Sequence, residues 1–175
     1  MGFAESGESV CPIAQTLAMV GERWTMLILR ELFMGSKRFD EFQMYTDMSP
    51  HLLSTRLKGL EADGIINRKQ YQDRPPRFEY TLTTKGADLY PLILSLKSFG
   101  DKWAKYKSRG KASVTLTHTG CGHTTVLKMK CSACDEPFGT RDTVGALSKE
   151  FASERQDRKA SFLEKQRRKQ ATAVA

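Results

Sequence analysis

The chain has 175 residues, enough for one principal domain with its own core and a small appendage. Lys and Arg number 28 against 20 Asp and Glu, a net charge of +8 that favours polyanionic partners without identifying one. Met1 to Val10 offer neither a basic start nor an apolar block. The apolar-rich stretches around Met26 to Met34 and Leu89 to Leu96 fall far short of the roughly 20 residues of a membrane span, so a soluble, cytoplasmic protein is expected.

After an N-terminal arm, residues 1–10, Pro12 to Val20 places Ile13, Leu17 and Val20 at helical spacing, and Gly21 interrupts the pattern. A second helix starts at Glu22, with Trp24, Leu27, Ile28, Glu31 and Leu32 on one stripe, Trp24 as a core anchor, and Gly35 as the stop. Phe39, Phe42 and Met44 predict a third helix over Arg38 to Met44, with Lys37 and Arg38 at its entrance, where they can meet phosphates.

Ser49 followed by Pro50 is a helix cap and first turn, and Leu53, Leu57 and Leu60 give the helix that follows one buried stripe. At about 100° per residue, His51, Thr55 and Lys58 then project from the opposite side, with Ser54 on the flank. Such side chains donate to and accept from base edges and phosphates in a major groove, although an isolated helix with this face reads equally as a solvated surface. Arg56, near the edge of the leucine stripe, is open to two readings: an intramolecular ion pair that orients this helix, or a phosphate contact. Gly64 ends the helix. Ile65 to Tyr71 and Phe78 to Leu82 read as two strands around a basic, proline-stiffened turn, where Arg74 and Arg77 are placed to touch backbone or minor groove. Thr83 or Thr84 caps a long helix through Leu89, Leu92, Ile93, Leu96, Phe99, Trp103 and Tyr106, kinked at Pro91. Its seam serves either a dimer or the monomer's own core.

The run Cys11-Pro12, Gly21, Arg23-Trp24 and Phe39-Asp40-Glu41 leads on to Arg56-Leu57-Lys58, Leu60-Glu61 and Asp63-Gly64-Ile65. With Tyr80-Thr81-Leu82-Thr83, Gly86 and Leu89, it resembles the HxlR family of winged helix-turn-helix regulators, a MarR-like fold. The resemblance covers Cys11 to about Tyr106. It implies a mainly α fold with a β-hairpin wing over residues 11–110, and a homodimer on double-stranded DNA with a palindromic operator whose half-sites lie about 34 Å apart. A repressor is expected on steric grounds, together with a small-molecule or oxidant effector. Cys11 matches a cysteine that several relatives use as a thiol sensor; the other reading is a buried structural thiol.

The remaining cysteines follow a metal-like spacing. Over residues 111–140, His118-x2-Cys121-Gly-His123 and Cys131-x2-Cys134 flank a strand-like Thr124 to Met129. This fits a small zinc-ribbon-like β-hairpin with one structural Zn²⁺ on His118, Cys121, Cys131 and Cys134, with His123 as the alternative to His118; a metal-free hairpin is the competing reading. Over residues 141–175, Val144, Leu147 and Phe151 suggest a short terminal helix, and Lys165, Arg167, Arg168 and Lys169 a disordered basic tail. The chain lacks a phosphate-cradling glycine loop and a paired His-Glu helix motif, so no enzyme is expected. A zinc-dependent enzyme, and a module gripping an acidic protein partner, are the two rival functions.

Overall fold

The computed structural model describes residues 9–104 and 114–174. The chain divides into two units, Glu22–Gly139 and a second built from Met1–Gly21 with Thr140–Ala175. Tyr106, Lys111 and most of the N-terminal arm lie outside the described residues.

In the larger unit, α2 (Arg23–Phe33), α3 (Phe39–Thr46) and α4 (Pro50–Ala62) pack on one another and on the hairpin of β1 (Ile66–Gln72) and β2 (Arg77–Leu82). α2 forms because its apolar stripe repeats at helical spacing and its N-terminus is capped: the Glu22 carboxylate accepts the Trp24 N–H at 2.8 Å. Glu31 falls within that stripe and is buried, its carboxylate taken by Arg30 at 2.6 Å. Trp24, expected in the core, is half-buried. Ile28, Leu29 and Leu32 instead meet Phe42, Leu53, Leu57 and Leu60 in a core closed by Ile65, Ile66 and Tyr80. The Phe42 and Tyr80 rings join α3 to the hairpin edge-on, with centroids 6.1 Å apart.

The third helix starts one residue later than its apolar positions predict, at Phe39, and runs on to Thr46. Arg38 is its cap residue, and the Glu41 carboxylate accepts the N–H groups of Lys37 and Arg38 at 2.7 and 2.9 Å. Met44 is exposed. α4 ends as expected: Gly64 takes φ +66°, which lets the Ile65 N–H return to the Leu60 carbonyl at 2.9 Å before β1 begins. The hairpin is antiparallel with Ile66 opposite Leu82, and a bulge at Tyr71 turns the outer end of β1.

The long helix expected after the hairpin is two helices. Thr83 caps α5 (Thr84–Ala87), accepting the Gly86 N–H at 3.0 Å, and α6 (Tyr90–Trp103) follows. Pro91 therefore does not kink a helix interior. It lies in the first turn of α6, where no intrahelical N–H bond is required of it. Beyond α6, β3 (Leu116–Thr117) pairs with β4 (Thr124–Thr125). The strand expected over Thr124 to Met129 is only this short, because its partner supplies two residues.

In the smaller unit, α1 (Pro12–Val20) has Pro12 in its first turn, and α7 (Lys149–Val174) is one helix of 26 residues. This replaces the expected short helix and disordered tail. The segment has neither Gly nor Pro and is rich in helix formers, Ser148 accepts the Phe151 N–H at 3.2 Å at its start, and Glu154–Arg158 and Glu164–Arg168 pair one turn apart. Val144 and Leu147 precede the helix and are exposed. Among the described residues no helix is long and apolar enough to cross a membrane.

Candidate nucleic-acid interface

The polar side of α4 faces solvent because Leu53, Leu57 and Leu60 hold the other side in the core. His51, Thr55 and Lys58 are exposed, and Ser54 is half-buried on the flank. At 1.5 Å per residue the helix is about 20 Å long, a length and width that a major groove of roughly 12 Å admits. Ser49 Oγ accepts the Leu52 N–H at 3.4 Å, so this hydroxyl caps the helix while keeping its proton for an outside acceptor. The Thr55 hydroxyl donates to the His51 carbonyl at 3.0 Å, which leaves its oxygen lone pairs and its methyl for a partner.

Arg56 points away from that face. Its Nε lies 3.4 Å from Glu22 Oε2, in an ion pair without hydrogen-bond geometry. The same carboxylate caps α2, so Arg56 ties the recognition helix to the start of its neighbour.

Arg74 and Arg77 are exposed at the tip of the hairpin. Side-chain amides hold that tip: Gln70 donates to Asp73 at 3.0 Å, and Gln72 to the Arg74 carbonyl at 3.1 Å. Between hairpin and helices runs a cleft of about 440 Å³, lined by Arg38, Asp40, Ser54, Tyr71 and Arg77. Arg38 is anchored on one wall, its guanidinium 5.0 Å from the Tyr71 ring centre and 3.5 Å from Glu79. Lys37 stays exposed while its carbonyl accepts the Tyr80 N–H at 2.8 Å. The backbone N–H bonds from Lys37, first, and Arg38 hold the Glu41 carboxyl below its usual range. Tyr71 escaped the sequence reading. Its signal is only a strand aromatic beside the turn, and its role follows from the bulge that brings it under Arg38.

The cleft brings Arg38, Ser54 of α4 and Arg77 of the wing onto one surface beside a packed core. Helix, cleft and wing define a winged helix-turn-helix protein that binds DNA. Residues 19–108 match the model of the HxlR-like helix-turn-helix, and the chain belongs to that family of transcriptional regulators.

The HTH-type transcriptional regulator YdeP of Bacillus subtilis is 41% identical over 100 residues, covering 57% of this chain and 76% of the relative. An HTH-type transcriptional regulator of Mycobacterium tuberculosis is 37% identical over 136 residues, or 78% of this chain and 83% of the relative. Among solved structures, PA1607, described as a transcription factor, superposes with a TM-score of 0.72 at 27% identity, covering 82% of this chain and 99% of that one. The redox regulator HypR in its oxidized form matches with a TM-score of 0.51 at 35% identity, over 55% of this chain and all of HypR.

Three other features stand apart from the helix and wing. Cys11 is half-buried at the N-cap of α1, its N–H donating to Ser9 Oγ at 3.1 Å. An apolar cleft of about 310 Å³ lies between α2 and α6, lined by Leu27, Phe33, Tyr90, Ile93 and Leu116. In the extension, His118 Nδ1 meets Cys121 Sγ at 3.2 Å, and the Ala133 and Cys134 backbone, then the Cys134 thiol, hold the Cys131 thiol below its ordinary value. The expected quartet is thus present as two pairs: among the described residues no three His, Cys, Asp or Glu side chains gather as a metal site.

Proposed function

We propose that the protein is a homodimeric repressor of transcription that inserts α4 into successive major grooves of a palindromic operator and responds to thiol oxidation or to a small apolar molecule. The observation that carries this reading is the exposure of His51, Thr55 and Lys58 on α4 and of Arg74 and Arg77 on the hairpin, with Ser54 of α4 and Arg77 lining one cleft; these are groups that suit base edges and phosphates. Ser49, Ser54, Lys37 and Arg38 add phosphate contacts at the edges of the reading helix. Dimerisation is supported by α6, whose Leu96, Phe99 and Trp103 lie on one face and are 49%, 68% and 65% exposed, more apolar surface than a stable monomer surface ordinarily shows. A compact dimer on a promoter excludes polymerase sterically, which favours repression over activation. The protein acts by binding rather than catalysis, in the compartment that holds the DNA, a bacterial cytoplasm.

Cys11 is the candidate thiol, supported by its partial exposure and by the kinship with a redox regulator. The cleft between α2 and α6 is the candidate effector pocket, since an apolar ligand there touches both the reading-domain core and the dimer helix.

The test is binding of the purified full chain to its own upstream duplex against a scrambled duplex at two salt concentrations, with and without a thiol oxidant. Preference for the native duplex that persists at higher salt supports sequence-specific regulation, and its loss on oxidation in the parent but not in Cys11→Ser supports the sensor. Equal, salt-sensitive binding to both duplexes overturns the reading in favour of a module for acidic partners.

A further inference from the structure

The extension holds two turns of the same construction. In the first, the His118 N–H donates to the His123 carbonyl at 2.9 Å, the Gly122 N–H returns to the His118 carbonyl at 2.8 Å, and Gly122 has φ +72°. In the second, the Cys131 N–H donates to the Glu136 carbonyl at 2.8 Å, the Asp135 N–H returns to the Cys131 carbonyl at 2.9 Å, and Asp135 has φ +58°. His118, Cys121, Gly122 and His123 thus correspond in order to Cys131, Cys134, Asp135 and Glu136. Each turn closes an antiparallel pairing, β3 with β4 for the first and a Lys130–Pro137 bridge for the second.

Both turns aim metal-binding side chains at their first and fourth positions. In the first, the 3.2 Å between His118 Nδ1 and Cys121 Sγ is close to the roughly 3.5 Å that separates a nitrogen and a sulfur on one tetrahedral zinc ion. In the second, Cys131 and Cys134 hold the same first and fourth positions of a turn with the same hydrogen bonds and the same left-handed residue. His123 occupies the place of Glu136, where the backbone carbonyl does the work, which argues for His118 over His123 as the ligand.

Hydrogen bonds close each turn, but no buried side chains join one turn to the other among the described residues. None of the described residues from 114 to 148 is buried; Leu116, Cys131, Phe138 and Gly139 are only half-buried, while Val126 and Met129 are 66% and 56% exposed. A segment of this size without a core needs a cross-link to keep one conformation.

We propose that His118, Cys121, Cys131 and Cys134 bind one structural zinc ion that draws the two turns together. The ligand set is one neutral imidazole and three thiolates, so binding to the reduced chain releases three thiol protons. Four protein ligands fill the tetrahedron and leave no position for a substrate.

The experiment is metal analysis and native mass spectrometry of the full chain, purified under reducing conditions without chelator. The reduced, stripped protein is then titrated with Zn²⁺ against a chromophoric chelator and with Co²⁺ alone. The expected result is about one zinc per chain, with a Co²⁺ complex showing tetrahedral ligand-field and thiolate charge-transfer absorption. Cys121→Ser and Cys134→Ser abolish that spectrum, whereas Cys11→Ser and His123→Ala keep it. Chelation opens residues 114–148 to protease while residues 22–104 stay protected, which separates loss of metal from loss of fold. A reduced, folded parent that takes up neither ion overturns the proposal, as does a spectrum unchanged in Cys134→Ser. A protein recovered metal-free with a Cys131–Cys134 disulfide, and still unable to bind Zn²⁺ after reduction, overturns it in favour of a redox pair.

Discussion

Arg56 Nε on α4 and Glu22 Oε2 at the cap of α2 lie 3.4 Å apart, and the same carboxylate accepts the Trp24 N–H at 2.8 Å. One carboxylate therefore fixes both the start of the supporting helix and the azimuth of the recognition helix. Both side chains are about a third exposed, so a double-mutant cycle with Arg56→Ala and Glu22→Gln in urea unfolding should give a coupling of about 0.5–1 kcal/mol. Arg56→Ala should weaken DNA binding without changing the slope of affinity against salt. A slope reduced by about one unit would make Arg56 a phosphate contact instead.

Thr55 and Lys58 share the exposed face but have different chemistry. Thr55→Ala should relax discrimination at one operator position by roughly 1–3 kcal/mol, read from a panel of single-base variants. Lys58→Ala should weaken every sequence alike and reduce the salt slope by about one. Equal losses across all sequences for both variants would remove Thr55 from the reading set.

Arg74 and Arg77 stand on a tip braced by Gln70 and Gln72. Arg74→Ala and Arg77→Ala should leave the melting temperature near that of the parent and lower the salt slope by about one each. Gln72→Ala, which releases the tip without removing charge, should weaken binding with the slope intact, as measured by fluorescence anisotropy.

Leu53 is fully buried beneath the reading face. Leu53→Ala should cost about 2–5 kcal/mol of stability in denaturant unfolding. DNA affinity corrected for the folded fraction should change far less, since no interface group is lost.

Glu154 holds the residues before Cys11: it accepts Ser9 Oγ–H at 2.7 Å and the Val10 N–H at 2.9 Å. The Ser9 hydroxyl first, then the Val10 N–H, keep its carboxyl below the ordinary value of 4.5. The folded state thus favours the charged form, so the clasp is fully present above pH 4.5 and is lost as pH falls below it. Hydrogen exchange at the Val10 and Cys11 amides should accelerate in Glu154→Gln at neutral pH, and in the parent only under acid conditions. Alkylation of Cys11 at neutral pH should quicken in the same variant; an unchanged rate would detach the clasp from the thiol.

Local physics made much of this protein legible in its sequence. Ser49-Pro50, the leucine repeat and Gly64 specify α4 because capping, periodicity and a left-handed stop act within one helix. The hairpin is equally local, with Arg74 in the turn and Arg77 opening the second of two paired strands. The helix formers of 149–174 act locally too, but the charges of that segment suit a solvated tail as well as a helix until Glu154–Arg158 and Glu164–Arg168 pair one turn apart.

Tertiary structure decided what depends on long-range partners. The division between α5 and α6 follows from Thr83 and Gly86 packing against the Ile65 carbonyl at the root of the hairpin, a contact that apolar periodicity cannot encode. The place of Arg56 was open until Glu22 was brought beside it, and Tyr71 gained a role only when the bulge carried it under Arg38. Spacing alone proposed four ligands in the extension. Folding made them two matching turns, because hydrogen-bond geometry is local to each turn while their meeting depends on what draws them together.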